Sequence, residues 1–271
     1  MGKAGVTAVF TILGMIPTGC AQETHEPTNS EYPSALVRGE QHIIVNGQNE
    51  TWQLKWASKP KPNCGADDVT MAVTCPCQGF GYGEGGDLSL VRIRDGVEID
   101  SLHLTPFFTG TIDKAAVLQR WPFYNKDFED SGRLGFVSRV KRRAVVQVMR
   151  FADYDHDGQS LEFYLQTEAL PCGKSTGIVV GLSQTNPRLH VFGTVMHPSK
   201  PLILQKKEWQ ALRDASGPVD IVDWPCADHG AETETRVQLR WSDQGISGVR
   251  GEYTCSAGPK AHRRLIHKEP L

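Results

Sequence analysis

Residues 143–167 read RAVVQVMRFADYDHDGQSLEFYLQT and combine apolar runs with a dense acidic cluster. Apolar residues both precede and follow Asp153, Asp155 and Asp157, so the pattern predicts two strands joined by an acidic loop. The sequence therefore raises two questions: which fold carries this strand-loop-strand unit, and what offsets the repulsion between the carboxylates.

Similar patterns occur along most of the chain. Trp52, Leu54 and Trp56 alternate with polar residues, as in a half-buried strand. Residues 88–104 form the clearest hairpin, because Asp95-Gly96 supplies the positive φ angles of a two-residue turn. Further strand candidates are residues 161–167, 176–182, 188–193, 219–222, 235–241 and 249–255.

Helical patterns are sparse. Residues 113–121 and 205–215 are the two candidate helices, the second closed by Gly217-Pro218. We therefore predict an all-β or β-rich fold, an antiparallel sandwich or a small propeller-like domain with one or two short helices. Residues 41–271 would form a single β-rich domain, within which 199–271 could pack as a subdomain.

The N-terminal segment has the form of an export signal. Lys3 precedes a short apolar run over 6–16, which predicts a signal over 1–21 followed by a polar tether over 22–40. Two processing routes stay open: lipidation of Cys20, which follows Gly19 as in a bacterial lipobox, or ordinary cleavage after Ala21. The predicted location is the cell envelope, through the lipid anchor, or the extracellular medium.

Cysteine usage agrees with export. Seven cysteines are present, and either route removes Cys20 from the thiols of the mature protein. The other six, an even number typical of disulfides in an oxidising compartment, are Cys64, Cys75, Cys77, Cys172, Cys226 and Cys255.

Cys226 and Cys255 bracket the last hairpin, and we expect these two to pair first. A disulfide closing that loop would contribute about 3–4 kcal/mol in the chain-entropy account. Cys75 and Cys77 would face the same side of a strand and bond different partners, with Cys64 and Cys172 available. A zinc site at Cys64, Cys75 and Cys77 is the alternative, although no fourth ligand follows at finger spacing.

The acidic loop predicts a cation. At about 5 Å separation and an effective dielectric of about 20, each carboxylate pair repels by roughly 3 kcal/mol. Asp153, Asp155, Asp157 and Gly158 occupy positions 1, 3, 5 and 6 of a DxDxDG loop, in which alternate carboxylates bind calcium. The Gln159 carbonyl falls where such loops supply a backbone oxygen. The alternative is an acidic turn whose side chains cap their own backbone.

The segment from Val148 to Gly158 resembles the calcium turns of FG-GAP and VCBS-type repeats, as in the integrin propeller, in which hydrophobic-x-x-Ala-Asp-x-Asp-x-Asp-Gly joins two strands. The resemblance covers about twenty residues and implies a structural calcium ion held by Asp153, Asp155 and Asp157. Those repeats usually close with an acid at position 9, which is Leu161 here. Glu162 comes one residue later and is the candidate closing ligand, whereas position 12, the EF-hand glutamate, is Tyr164.

The sequence favours a binding or structural role over catalysis. It contains no nucleophile elbow, HExxH pair or phosphate-binding loop. With 29 basic and 31 acidic side chains, it lacks the surplus charge of a nucleic-acid-binding protein, and the lipid anchor would be its only membrane contact. The alternative is an extracellular hydrolase using carboxylates such as Asp127, Glu129 and Asp130.

The ligand would be a protein or a carbohydrate, bound through aromatic side chains. The residues considered for such a surface are Phe80, Tyr82, Phe107, Phe108, Trp121, Phe123 and Tyr124. Packing in the core is the competing and favoured explanation for these side chains.

Overall fold

A computed structural model describes residues 36–63, 80–109, 115–124, 126–130, 133–169, 174–242, 244–255 and 263–271. The expected signal over 1–21 and most of the tether lie outside these residues, as do Cys20, Cys64, Cys75, Cys77 and Cys172. The first strand begins at Val37, inside the segment expected to be a tether. Within the described residues, no helix is both long and apolar enough to cross a bilayer.

The described residues form a β-rich fold, as predicted, with four antiparallel sheets. The first sheet has the order β1-β2-β5-β6, formed by Val37–Val45, Gln48–Trp56, Leu88–Arg94 and Val97–His103. The predicted Asp95-Gly96 hairpin joins β5 to β6, and both turn residues have positive φ, 50° and 76°. The second sheet is small, with the order β3-β4-β7, formed by Lys61–Asn63, Gly83–Gly86 and Ala116–Gln119.

The third sheet is built around one central strand. Its members are β8 (Glu162–Ala169), β9 (Ser175–Ser183), β10 (Asn186–Val191) and β11 (Leu204–Gln205). Strand β8 pairs along most of β9, and β10 and β11 pair with opposite ends of β9. The fourth sheet has the order β12-β13-β14-β15, formed by Val219–Trp224, Thr233–Ser242, Gly245–Thr254 and Leu265–Pro270.

Strand β9 is buried on both faces. Ile178, Val180 and Leu182 lie in a core shared with the first sheet, where they meet side chains such as Trp52 and Leu90. The first and third sheets therefore face each other as a sandwich. On the opposite face of β9, Val179 joins a second core, whose other members include Phe192, Leu204, Trp209, Leu212, Val237, Leu239 and Ile246. This second core connects residues 199–271 to the rest of the fold.

Three α-helices complete the described chain: α1 (Lys126–Asp130), α2 (Phe136–Lys141) and α3 (Lys206–Asp214). Helix α3 confirms the prediction over 205–215, and Trp209 and Leu212 on its buried face enter the second core. The predicted helix over 113–121 is wrong, because residues 116–119 form β7. Ala116, Val117 and Leu118 are all buried, and tertiary pairing with β4 overrides their helix propensity.

The strand predicted before the acidic loop is also wrong. Residues 144–151 form no ladder, and Val146 donates its N–H to the Arg120 carbonyl while Arg150 donates to Val148. The next residue, Ala152, forms a single bridge with Glu162, across the acidic loop.

Of the predicted disulfide cysteines, the structure describes the pair Cys226 and Cys255, and these two are bonded. Cys226 follows β12 and Cys255 follows β14, and the two sulfurs are bonded with 5.6 Å between the Cα atoms. The bond ties the two ends of the hairpin region in the fourth sheet.

Gly181 permits the close approach of β8 to β9, which generates our first prediction. A Cβ atom at this position would lie 2.7 Å from Glu162 Cα and would strike the Leu161 carbonyl oxygen as well, and backbone cannot move aside cheaply. We expect Gly181→Ala to lower the free energy of unfolding by about 3 kcal/mol or more, as overpacking in a tight core does. Urea denaturation measures the change.

Gly217→Ala is the matched control, because a Cβ there meets no atom within 4 Å. It should change the free energy of unfolding by less than about 0.5 kcal/mol. Equal stability of the two variants would show that β8 and β9 are not this close.

Glu208 at the start of α3 generates a second prediction, concerning pH. Its side chain is buried, and one oxygen accepts the Gln205 N–H at 2.7 Å, while the other has no partner. Burial, reinforced by the charge of Asp223, raises the pKa of Glu208 to about 7. Because the folded pKa lies above the unfolded one, this group stabilises the fold at pH below about 4.5, and that contribution is lost as the pH rises through 7.

We therefore expect Glu208→Gln to be more stable than the wild type at pH 8, by on the order of 3 kcal/mol, with the advantage shrinking towards pH 4.5. Urea denaturation at a series of pH values measures the difference. Glu98→Gln, on the exposed face of β6, is the control and should follow the wild type. A pH-independent difference would contradict the assignment.

Candidate metal centre

Three carboxylates of the predicted set come together at the acidic loop. One oxygen each from Asp153, Asp155 and Glu162 lies within 4.8 Å of the others. Among the described residues, this is the group of acidic, histidine or cysteine side chains that meets the spacing of a metal site. Asp153 and Asp155 are half-buried, whereas Glu162 is completely buried.

The local fold explains how Glu162 reaches the aspartates. Glu162 begins β8 and forms a bridge with Ala152, the residue just before Asp153. The Ala152 N–H donates to the Glu162 carbonyl at 2.9 Å, and the Tyr154 N–H donates to Glu162 Oε2 at 2.8 Å. These bonds fold residues 152–162 into a closed loop with the glutamate at its base.

The loop backbone turns towards its own carboxylates. Gly158 donates its N–H to Asp153 Oδ2 at 3.0 Å, and the Asp157 N–H lies 3.2 Å from both Asp153 Oδ1 and Asp155 Oδ1. Positive φ angles at His156 (58°) and Gly158 (87°) make this tight path possible. The acidic turn therefore caps its own backbone, as the alternative interpretation predicted, and also gathers carboxylates.

Asp157 takes a different position from the other two aspartates. Its Oδ1 accepts the Gln159 N–H at 2.8 Å, and its Oδ2 accepts the Gln184 N–H at 2.9 Å, from the turn between β9 and β10. The structure thus joins the acidic loop to a neighbouring turn through Asp157, outside the three-carboxylate group. For Gln159, the described contact is its N–H, and the carbonyl ligand stays a prediction.

The carboxylate group is electrostatically unfavourable by itself. Burial, reinforced by the charges of Asp157 and Asp153, raises the pKa of Asp155 to about 7. Burial raises the pKa of Glu162 to about 9; the hydrogen bond from the Tyr154 N–H opposes this shift, and the charge of Asp155 adds to it. Glu162 Oε1 is buried and has no hydrogen-bond partner. An unpartnered, buried carboxylate oxygen is costly unless a proton or cation meets it.

A hard divalent cation fits these donors. Calcium binds oxygen ligands at about 2.3–2.6 Å, so ligands on opposite sides of the ion lie up to about 5 Å apart. The oxygens of Asp153, Asp155 and Glu162 are within that limit. Glu162 would bind through Oε1 alone, because Oε2 already accepts the Tyr154 N–H.

Each of the three carboxylates considered for a hydrolase is either ion-paired or exposed. Both oxygens of Asp127 accept from Arg143 at 2.6 Å, and these bonds outweigh the effect of burial and lower the pKa of Asp127. Asp130 pairs with Arg133, and Glu129 is exposed. A general acid needs a raised pKa, so the ion-paired Asp127 is unsuited to that task.

The aromatic residues considered as a ligand surface mostly belong to the core. Phe80, Tyr82, Phe108 and Trp121 are buried, and Phe107 and Phe123 are partly buried against core clusters. Tyr124 is exposed, but the Arg143 guanidinium covers its ring at 4.6 Å. The favoured explanation from the sequence, core packing, holds for most of the set.

The sequence signal for Glu162 was its place one residue after position 9 of the DxDxDG loop, where related loops carry their closing acid. No sequence signal indicated that Asp157 would bond to the distant Gln184. Comparison with known proteins identifies no relative: no family model, curated protein or solved structure matches this chain.

Proposed function

We propose that this chain is an exported, non-enzymatic β-rich protein of the cell envelope, with a binding or structural role, whose acidic loop is closed by a structural calcium ion. One observation carries the proposal: the completely buried Glu162 has a carboxylate oxygen without a hydrogen-bond partner, and its carboxylate comes within 4.8 Å of those of Asp153 and Asp155. A cation offsets both the repulsion and the missing partner. The FG-GAP-like pattern of 148–158 supports the same ion.

Several features support export. The bonded pair Cys226–Cys255 is typical of an oxidising compartment, and residues 1–21 have the sequence pattern of an export signal. A site that lacks a bidentate closing acid should bind calcium weakly, with a Kd of about 10⁻⁴–10⁻³ M, as extracellular modules do. Calcium outside cells is commonly concentrated enough to fill such a site.

The third prediction is that calcium stabilises the protein. With 10 mM calcium and that range of Kd, ligand linkage gives about 1.4–2.7 kcal/mol, which corresponds to a rise in Tm of about 3–10 °C for a domain of this size. Asp155→Asn keeps the shape but removes one ligand charge, so we expect it to lose most of the rise. Differential scanning calorimetry with and without calcium measures both.

Asp95→Asn is the matched control, because Asp95 is an exposed aspartate in another turn and Asn-Gly suits that turn equally well. It should retain the full rise. In chelated protein, Asp155→Asn should be at least as stable as the wild type, since the substitution relieves repulsion in the loop. A calcium response that is absent from the wild type, or equal in wild type and Asp155→Asn, would refute the calcium site.

The fourth prediction separates the two processing routes. If Cys20 carries the lipid anchor, cells fed labelled palmitate should label the protein, and Cys20→Ser should abolish the label and release the protein from membranes. Cleavage after Ala21 instead leaves the wild type unlabelled. Fractionation with immunoblotting reads the location in both cases.

A further inference from the structure

A polar cleft opens at one end of the sandwich, beside the acidic loop. Its volume is about 500 Å³, which is within the usual range for small-molecule sites. Asn46 from the β1–β2 turn and Arg94 from β5 form one side, and Gln184 and Arg188 from the β9–β10 region form the other. The buried side chains of Leu161 and Leu182 supply an apolar floor.

Charge in the cleft is predominantly positive. Arg92, Arg94 and Arg188 line it, and the carboxylates that contact them are Glu50 and Asp100. Three guanidinium groups thus contact two carboxylates, so this group of side chains carries a net positive charge. The Asp157 carboxylate is not among the side chains that line the cleft, and the backbone N–H groups of Gln159 and Gln184 already bond it.

Arg92 is the fixed part of this arrangement. Its Nε and Nη2 donate to the two oxygens of Glu50 at 2.8 and 2.9 Å, and its Nη1 donates to the Pro187 carbonyl at 3.0 Å. The same Nη1 lies 3.4 Å from Asp100, which also accepts the Leu189 N–H at 2.6 Å. The donors of Arg92 are thereby engaged, and the group joins the first sheet to β10.

Arg94 and Arg188 keep donors for a ligand. Arg94 gives one hydrogen bond, from Nη2 to Glu50 Oε1, and its Nε is buried without a partner. Arg188 is 82% exposed in its side chain, and its ion pair with Asp100 is long, at 3.6 Å. A guanidinium presents five N–H donors in a planar fork that matches a carboxylate or a phosphate group.

We propose that the cleft binds a small ligand through an oxyanion, a carboxylate or phosphate group, held by Arg94 and Arg188 while Asn46 and Gln184 contact its polar remainder. The net positive charge attracts the anion, the remaining donors of the partly exposed Arg94 and Arg188 guanidinium groups bond to it, and the apolar floor receives the ligand's carbon skeleton. The inference rests on the proposed binding role only for its biological setting, because none of these contacts requires calcium.

Succinate and methyl phosphate are the probes, and succinamide is the uncharged match to succinate. Isothermal titration calorimetry of the full mature protein, at constant ionic strength, should give saturable binding of at least one of the two anions and none of succinamide. The Nε–H resonance of Arg94 in ¹H–¹⁵N spectra should shift with the same Kd. Absence of saturable binding of both anions, or equal binding of succinamide, would overturn the proposal.

Arg188→Gln tests the site itself and leaves folding untouched, because the side chain is mostly exposed. We expect it to weaken anion binding about ten-fold or more, as loss of charge-assisted hydrogen bonds does. Arg240→Gln, an exposed arginine on β13 in the fourth sheet, should bind as the wild type does. Equal weakening by both substitutions would reveal a nonspecific charge effect and refute the cleft.

The calcium response of the same variants keeps the two proposals apart. Arg188→Gln should retain the full calcium-induced rise in Tm, because Arg188 contacts none of the three clustered carboxylates. Loss of anion binding with a normal calcium response therefore supports the cleft. A protein that responds to calcium but binds neither anion refutes the cleft alone.

Discussion

The two-sided burial of β9 is the constraint on which the rest of the structure depends. An ordinary antiparallel strand faces a core on one side and solvent on the other, whereas every residue from Gly177 to Leu182 is buried. One face closes the sandwich with the first sheet, and the other receives Val237 and Leu239 of the fourth sheet and Trp209 of α3. Removing this strand would take side chains away from two hydrophobic cores at once.

The position of Glu162 in the acidic loop depends on its pairing with that strand. Glu162 lies opposite Gly181 in the register of β8 and β9, so the packing that buries β9 also buries the glutamate. A carboxylate would not enter such a position for its own stability, because desolvation penalises its charged form. The fold therefore holds an acidic oxygen where water does not reach it, and a proton or a cation would compensate it.

Local rules predicted those parts of the fold that local chemistry decides. The Asp95-Gly96 turn, the amphipathic helix over 206–214 and the bonded pair Cys226–Cys255 all depend on residues close in sequence or on chain closure. The predictions that failed concern segments whose structure depends on pairing with other strands. Residues 116–119 became a strand because β4 offers them a partner, and residues 144–151 found no ladder partner at all. A window of ten residues predicts neither outcome, because both depend on pairing with other parts of the chain.

In the candidate site, too, the sequence predicted the local features and missed those that depend on tertiary pairing. Alternating aspartates followed by glycine predicted a tight loop with converging acids, and Asp153 and Asp155 converge as that pattern indicates. The third position differs, because Asp157 bonds to the turn at Gln184, 27 residues later in the chain. Glu162 enters instead because its bridge with Ala152 closes the loop, a pairing that only the folded chain defines. The cleft beside the loop combines turns from two sheets and left no contiguous sequence signature.

The glycines of β9 bear on how descendants of this sequence could diverge. A Cβ at Gly177 would meet the Tyr164 ring at 2.7 Å, and one at Gly181 would meet the backbone of β8. These two positions therefore tolerate almost no residue other than glycine. A distant homologue that keeps this architecture should carry a Gly-x-x-x-Gly strand in an apolar context.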